Sequence, residues 1–261
     1  MEPEQFAVMF RREERHWWYA GMRRTALAVL NHALAGQTAL RILDAGCGTG
    51  GTTVHLRRFG AVVGLDLAWE ALLPAAERGL NGHLVRVTVE HLPFADAAFD
   101  AVTSFEVVYH LGVNDDRRAL AELRRVLRPG GVLLLRLPAH DWLRGAHDRL
   151  VHTRHRYSRA EVADKLRGSG FRVERLNWAN SALFLPAAIK RLLEPRPPKI
   201  GERKSARVDE GVVHPQTPDL WQPPGPLNAL LEGIVGMEAL AVPRGVPLPF
   251  GLSVIALARA A

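Results

Sequence analysis

The stretch Arg41-Ile-Leu-Asp-Ala-Gly-Cys-Gly-Thr-Gly-Gly51 constrains this chain more than any other. An apolar run ends in an acid and then turns through Gly46, Gly48, Gly50 and Gly51. Short apolar runs bounded by glycine read as buried strands, and residues 52–59 read as the helix that follows. Glycines at such a corner supply positive φ and let the backbone approach a ligand. The helix start beyond offers unpaired N–H groups and a positive dipole end. Gly46, Gly48 and Gly51 satisfy G-x-G-x-x-G, while Gly46, Gly48 and Gly50 satisfy G-x-G-x-G. A second apolar run, Ala61-Val-Val-Gly-Leu-Asp66, closes on a carboxylate 20 positions after Gly46, where an acid meets ribose hydroxyls. A nucleotide-like ligand is the expectation.

Leu43-Asp-Ala-Gly-Cys-Gly-Thr-Gly50 resembles the first motif of class I S-adenosylmethionine-dependent methyltransferases, of the type 11 kind found in bacterial small-molecule enzymes. Asp44 precedes the first glycine by two residues; a phosphate has no use for that charge, whereas a sulfonium ligand with an ammonium group does. Leu92-Pro-Phe94, Phe99-Asp100 and Leu127-Arg-Pro-Gly-Gly131 before Val132-Leu-Leu-Leu135 follow in the family's order. The resemblance thus covers roughly residues 40–178. It implies an α/β fold: a Rossmann-like, doubly wound, mostly parallel seven-stranded sheet with helices on both faces. To this the chain adds an N-terminal helical cap (1–36) and a long insertion before the last strand (179–244). The cofactor-binding core is then 37–178 with 245–261.

The resemblance also implies S-adenosyl-L-methionine as cofactor, with S-adenosyl-L-homocysteine as product. Asp44, Gly46, Cys47, Gly48 and Gly50 would line its loop, with Asp66 and Leu67 at the ribose. The third strand (84–89) carries Thr88-Val89 where the family commonly has an Asp-Ala pair beside adenine, so Thr88, Val89 or Glu90 must supply that contact. The fourth strand (101–108) should lie across the switch point, placing Phe105 near the sulfonium side. Many relatives have Glu-His where this chain has Tyr109-His110. His110 is the candidate general base, its ordinary pKa being near 6.5, and Tyr109 replaces the acid that would orient it.

Residues 1–22 hold Phe6, Phe10 and then Glu13-Glu-Arg-His-Trp-Trp-Tyr19. So many aromatics require burial, either as a helix packed on the sheet or as a cap. In a cap, His16, Trp17, Trp18 and Tyr19 wall the site, and Arg23 or Arg24 clamps a carboxylate. Beyond the fifth strand lie His140, Trp142, His147, His152, His155 and Tyr157. The histidine spacings fit no compact zinc signature and no cysteine helps, so no metal is expected. A substrate-facing loop with His140, Trp142 and Tyr157 is the reading. Ser158-Arg-Ala-Glu161 is a capping box for the next helix and fixes Tyr157 just before it.

Residues 170–177 and 251–258 read as a final antiparallel pair separated by the insertion. That insertion has a helix at 182–193, then a segment at 195–226 with eight of the seventeen prolines. A second amphipathic helix follows, with Leu227, Leu230, Leu231, Ile234 and Met237 on one stripe. These helices are expected to cover a pocket, form a homodimer, contact a membrane surface, or simply pack on the core.

Net charge is +7. Arg117, Arg118, Arg124, Arg125 and Arg128 share a predicted helix with acids and read as a solvated face, so no stable nucleic-acid partner is expected. No apolar run reaches the roughly 18 residues of a membrane span. The single cysteine, Cys47, and the lack of a basic-then-apolar leader fit a reducing cytoplasm. The expected reaction is methyl transfer to an oxygen or carbon, less readily nitrogen, of a small or lipid-linked metabolite. The competing readings are a methyltransferase acting on RNA or protein, and a cofactor-binding, non-methylating protein of cyclase type.

Overall fold

The computed structural model describes residues 3–145, 148–149, 151–193 and 223–261. Helices α1 (Pro3–Arg12) and α2 (Trp17–Leu34) lead into β1 (Leu40–Ala45). One helical turn, α3 (Thr53–Leu56), precedes β2 (Gly60–Asp66), α4 (Trp69–Ala75) and β3 (Leu84–Arg86). Then come β4 (Phe99–Phe105), α5 (Asp116–Val126), β5 (Leu127–Pro138), α6 (Arg159–Gly168) and β6 (Phe171–Ala179). The chain ends with α7 (Ser181–Leu193), α8 (Gly225–Gly236), α9 (Glu238–Ala241) and β7 (Ser253–Ala260).

The strands form one sheet in the order β3-β2-β1-β4-β5-β7-β6, with only β7 antiparallel to its neighbours. This is the expected seven-stranded, doubly wound sheet. Both of its faces are covered, which is why its strands read as unbroken apolar runs rather than alternations. Leu43, Ala45, Leu133, Leu135 and Leu137 point to one face, under Leu120 and Leu123 of α5 and Leu166 of α6. Ile42, Val62, Leu134 and Leu257 point to the other, under Met22, Val29 and Leu30 of α2 and Val235 of α8. The order reverses beside β1, whose neighbours are β2 and β4. The crevice beyond the carboxyl ends of those strands is where ligands of open α/β sheets lie.

Several expectations are corrected. Tyr157 does not face the cleft; it is fully buried, and its hydroxyl donates to Asp116 Oδ2 at 2.8 Å. The Ser158 side chain does accept from the Glu161 N–H, so the cap was legible, but a cap fixes where a residue sits and not which way it points. The expected helix at 52–59 shrinks to the single turn α3 plus a 3₁₀ turn (Arg57–Phe59), leaving little dipole to offer a ligand. Gly225–Arg244 is long and apolar enough for a membrane span by length and composition. In the fold it packs on α2, where a Cβ on Gly21 would lie 2.7 Å from Val235 Cγ1. The segment at 195–226 and His147 lie largely or wholly outside the described residues.

The basic face of α5 is tied into the fold. Arg125 bonds Glu122 and Asp96, while Arg128, expected on that helix, lies in β5 and pairs with Asp100. Asp116 joins α5 to α6: besides Tyr157 it accepts from Lys165 Nζ at 3.0 Å. Burial works to raise this carboxyl, but the hydrogen bonds from Lys165 and Tyr157 hold it below its ordinary 3.8. Asp116→Asn should therefore cost about 1–3 kcal/mol in urea unfolding at pH 7. The carboxylate's contribution is complete above its unfolded value and fades as pH falls through the depressed one. The variant should lose that acid-side slope, and a change smaller than about 0.5 kcal/mol would contradict the assignment.

Candidate functional site

The corner after β1 is organised by a buried acid. Asp44 is 2% exposed, and both its oxygens are taken: Thr53 Oγ1 donates to Oδ2 at 2.6 Å and Thr103 Oγ1 to Oδ1 at 2.7 Å. Burial drives its pKa up while the two hydroxyls pull it down. Asp44 thus joins β1, α3 and β4 beneath the loop.

Above it, Gly46, Gly48 and Gly50 all have positive φ. At Gly46 a Cβ would lie 2.0 Å from Val107 Cγ2, so only glycine fits. The Gly46 and Cys47 N–H groups donate to the Leu65 carbonyl, stitching the loop to β2. Asp66, at the end of β2, accepts from Gly48 N at 3.0 Å and Ala68 N at 2.9 Å. Burial raises its pKa against those N–H bonds. Cys47 is buried, its thiol pushed well up by burial, and it packs under the loop as an inert side chain. Leu67 is half exposed beside this corner.

The N-terminal helices close over the loop, and the residues doing so were only partly anticipated. A Cβ on Gly48 would meet the Met9 methyl at 2.9 Å, and one on Gly51 would meet Glu13. Thr49 Oγ1 donates to Glu13 Oε1. Arg78 clamps the arrangement: Nε donates to the Thr49 carbonyl, Nη1 to Glu14, and Nη2 to Glu13 and the Phe10 carbonyl. Burial raises the Glu13 carboxyl. A small cavity of about 30 Å³ opens next to Thr52 of this corner, with Glu13, Trp18, Tyr19, Arg23, Phe105 and Arg136 among its walls.

Of the four aromatic residues expected to wall the site, Trp18 and Tyr19 line this cavity, and burial lifts the Tyr19 phenol to about 12. His16 instead caps α2, its Nδ1 accepting from Trp18 N. Trp17 packs toward α8, its N–H donating to Asn228. Arg23 lines the cavity, yet its Nη1 and Nη2 donate to the Glu13 and Glu14 carbonyls.

Thr88, Val89 and Glu90 fall in a turn, because β3 ends at Arg86. Val89 points into the core. Glu90 turns away, its oxygens accepting from the Asn114 and Asp115 N–H groups. The Thr88 hydroxyl accepts from the Glu90 N–H at 3.3 Å within the turn. Strand β4 stops at Phe105 because Glu106 adopts φ +60°, an unusual value for a side chain with a Cβ. Tyr109 is packed into the core, burial keeping its phenol protonated. His110 Nδ1 accepts from Gly112 N at 3.0 Å, so the neutral ring's proton is assigned to Nε2. Burial lowers its pKa to about 4, with His152 nearby adding to the shift. With Nδ1 taken and its pKa lowered, His110 is poorly suited to act as a base.

His140 stacks on Trp178 at 4.6 Å, with Trp142 and Phe184 packed around it, at the β5–β6 end of the same edge. Among the described residues no His, Cys, Asp or Glu group is arranged for a metal ion. Glu13, Arg78 and Arg136 were missed from sequence. Only Arg136 carried a local signal, as a lone charge inside an apolar strand.

The methyltransferase domain family matches residues 43–135, from Leu43 in β1 to Leu135 in β5. The chain carries a class I S-adenosylmethionine-dependent methyltransferase domain. Relatives of this domain include a malonyl-[acyl-carrier protein] O-methyltransferase of Enterobacter lignolyticus, 34% identical over 55% of this chain and 57% of that protein. A probable S-adenosylmethionine-dependent methyltransferase of Mycolicibacterium smegmatis is 33% identical over 62% of each chain. The [4+2]-cyclase SpnF shares the fold, with a TM-score of 0.55 at 22% identity over 91% of this chain and 80% of that one. The chain spans about half the length of the curated relatives it matches. The methyltransferase domain's loop suits its donor on this structure's own terms: a glycine that admits no Cβ, an acid at the end of β2, and a cavity with buried guanidinium groups at the end of β4.

Nuclear magnetic resonance titration of the histidine rings tests the His110 geometry. Its resonances should stay those of a neutral ring with the proton on Nε2 down to about pH 5, turning only near 4. Titration near 6.5 would contradict it.

Proposed function

We propose that this chain moves the methyl group of S-adenosyl-L-methionine onto an oxygen or carbon atom of a small or lipid-linked metabolite. The observation that carries this is the corner built by Asp44, Gly46 and Asp66 within the segment matched by the methyltransferase domain family. The name of the Enterobacter relative, an O-methyltransferase acting on a malonyl group, supports oxygen as the acceptor atom.

When bound, the donor supplies an electrophilic methyl group on a cationic sulfur. Asp66 is assigned to the ribose hydroxyls, its carboxylate turning from the Gly48 N–H to do so. The 46–50 loop backbone would hold the amino-acid end, and the Thr88–Val89 turn would hold the base. Trp18, Tyr19 and Phe105 keep water from the transfer path. Asp44 holds the loop in shape from below. His110, neutral and with Nδ1 taken by the Gly112 N–H, is not assigned as the base. That leaves transfer intact, because aligning the two reactants is worth about 7–11 kcal/mol, against roughly 3–5 kcal/mol for a positioned base. An acceptor already ionised at neutral pH needs no base at all.

Incubating the protein with methyl-labelled cofactor and a panel of carboxylic acid, phenol and activated-carbon acceptors tests the proposal. Label should move to at least one class, and Asp66→Ala should weaken S-adenosylhomocysteine binding roughly tenfold or more, by calorimetry, without unfolding the chain. Tight cofactor binding with no transfer across the panel would favour the non-methylating reading instead.

A further inference from the structure

Arg136 stands where the pattern of its strand has no place for a charge. It follows Val132-Leu-Leu-Leu135 and precedes Leu137 in a strand covered on both faces, and it is only 7% exposed. Such a guanidinium is costly to bury unless it has partners. One is Glu106, whose Oε1 accepts from Nε at 3.0 Å. Another is the Phe105 ring, with the guanidinium carbon 5.0 Å from its centroid. Nη1 and Nη2 have no hydrogen-bond partner among the described residues, and the side chain lines the cavity beside the glycine loop.

The neighbouring charges do not use up this fork. Arg23, the other guanidinium on the cavity, spends its Nη groups on the Glu13 and Glu14 carbonyls. Glu13, the carboxylate there, is held by Thr49 and by Arg78 at 2.9 Å. Glu238, packed behind, accepts from the Asn180 and Ser181 N–H groups. Glu106 reaches Arg136 from a backbone at φ +60°, a strained value that persists only where the surroundings enforce it. The result is a guanidinium aligned through Nε, with its planar Nη pair open to a cavity walled by Trp18, Tyr19 and Phe105. Two parallel donors at the end of a fixed plane match a carboxylate and discriminate against neutral groups.

We propose that Arg136 is a carboxylate-binding site in the cavity between the N-terminal helices and the ends of β4 and β5. Its occupant is either the amino-acid carboxylate of the cofactor or a carboxylate of the methyl acceptor. Only that choice rests on the methyltransferase reading; the anion site rests on the cavity.

Calorimetry on the full chain separates the sources, using wild type, Arg136→Met and Arg136→Lys. S-adenosylhomocysteine is compared with 5′-methylthioadenosine, which keeps the nucleoside and sulfur but has no carboxylate. Benzoate is compared with benzamide on protein saturated with S-adenosylhomocysteine. If the cofactor is the source, Arg136→Met weakens S-adenosylhomocysteine roughly tenfold or more and leaves 5′-methylthioadenosine unchanged. If the acceptor is the source, the variant weakens benzoate by a similar factor, leaves both nucleosides unchanged, and wild type prefers benzoate to benzamide. Arg136→Lys, which keeps a charge but not the fork, should fall between, and it serves alone should the Met variant fail to fold. Unchanged affinity for both S-adenosylhomocysteine and benzoate in a folded variant overturns the site. Loss of all nucleoside binding in wild type would sink the methyl-donor reading separately, with the benzoate comparison still deciding Arg136.

Discussion

A carboxylate almost out of contact with water sets the geometry on which the rest depends. Asp44 sits between β1, the turn of α3 and β4, and the Thr53 and Thr103 hydroxyls occupy both of its oxygens. An unpaired charge there would be costly, and two short hydrogen bonds to it are stronger than bonds between neutral groups. The arrangement locks the end of β1 against its neighbour across the switch point. It leaves the chain one way out, through glycines at positive φ. The loop is thus rigid before any ligand arrives, which is what binding through backbone atoms requires.

On that platform the two ends of the chain's functional edge are built differently. Near β1 and β2 the site is made of backbone and acids, with Asp66 tied to Gly48. Near β4 and β5 it is made of side chains in a cavity roofed by the N-terminal helices. Arg78, in the turn Ala76–Leu80 after α4, holds that roof down, each of its three guanidinium nitrogens bonding to residues 10–14 or to the Thr49 carbonyl. Met9 and Glu13 of the N-terminal segment lie directly against the glycine loop. Farther along, Glu238 of α9 accepts from the Asn180 and Ser181 N–H groups at the start of α7 and so anchors the insertion to the end of β6.

The sheet was legible because each strand announces itself locally, as an apolar run ending at glycine, proline or an acid. Its doubly wound, mostly parallel arrangement was what the resemblance of the 43–50 motif implied. Side-chain direction was not legible. Tyr157 and Tyr109 lie next to loops that suggested a cleft, yet both point inward, because the space beneath α5 and α6 needed filling. The role of His110 turned on Gly112, whose N–H takes Nδ1; no residue type specifies a tautomer. Glu13 and Thr49 are 36 positions apart, a pairing that only the fold creates. Arg136 was missed although it carried a local signal, a charge inside an apolar strand, because only the fold shows that it opens on a cavity.

Hydrogen exchange read by mass spectrometry, with and without S-adenosylhomocysteine, tests the central claim most directly. If the corner on Asp44 is the donor site and the N-terminal helices are its roof, slowing should concentrate in peptides covering 43–52, 64–69 and 9–23, and α5 and α6 should be unaffected. Slowing confined to the insertion helices, or none at saturating ligand, would contradict the account.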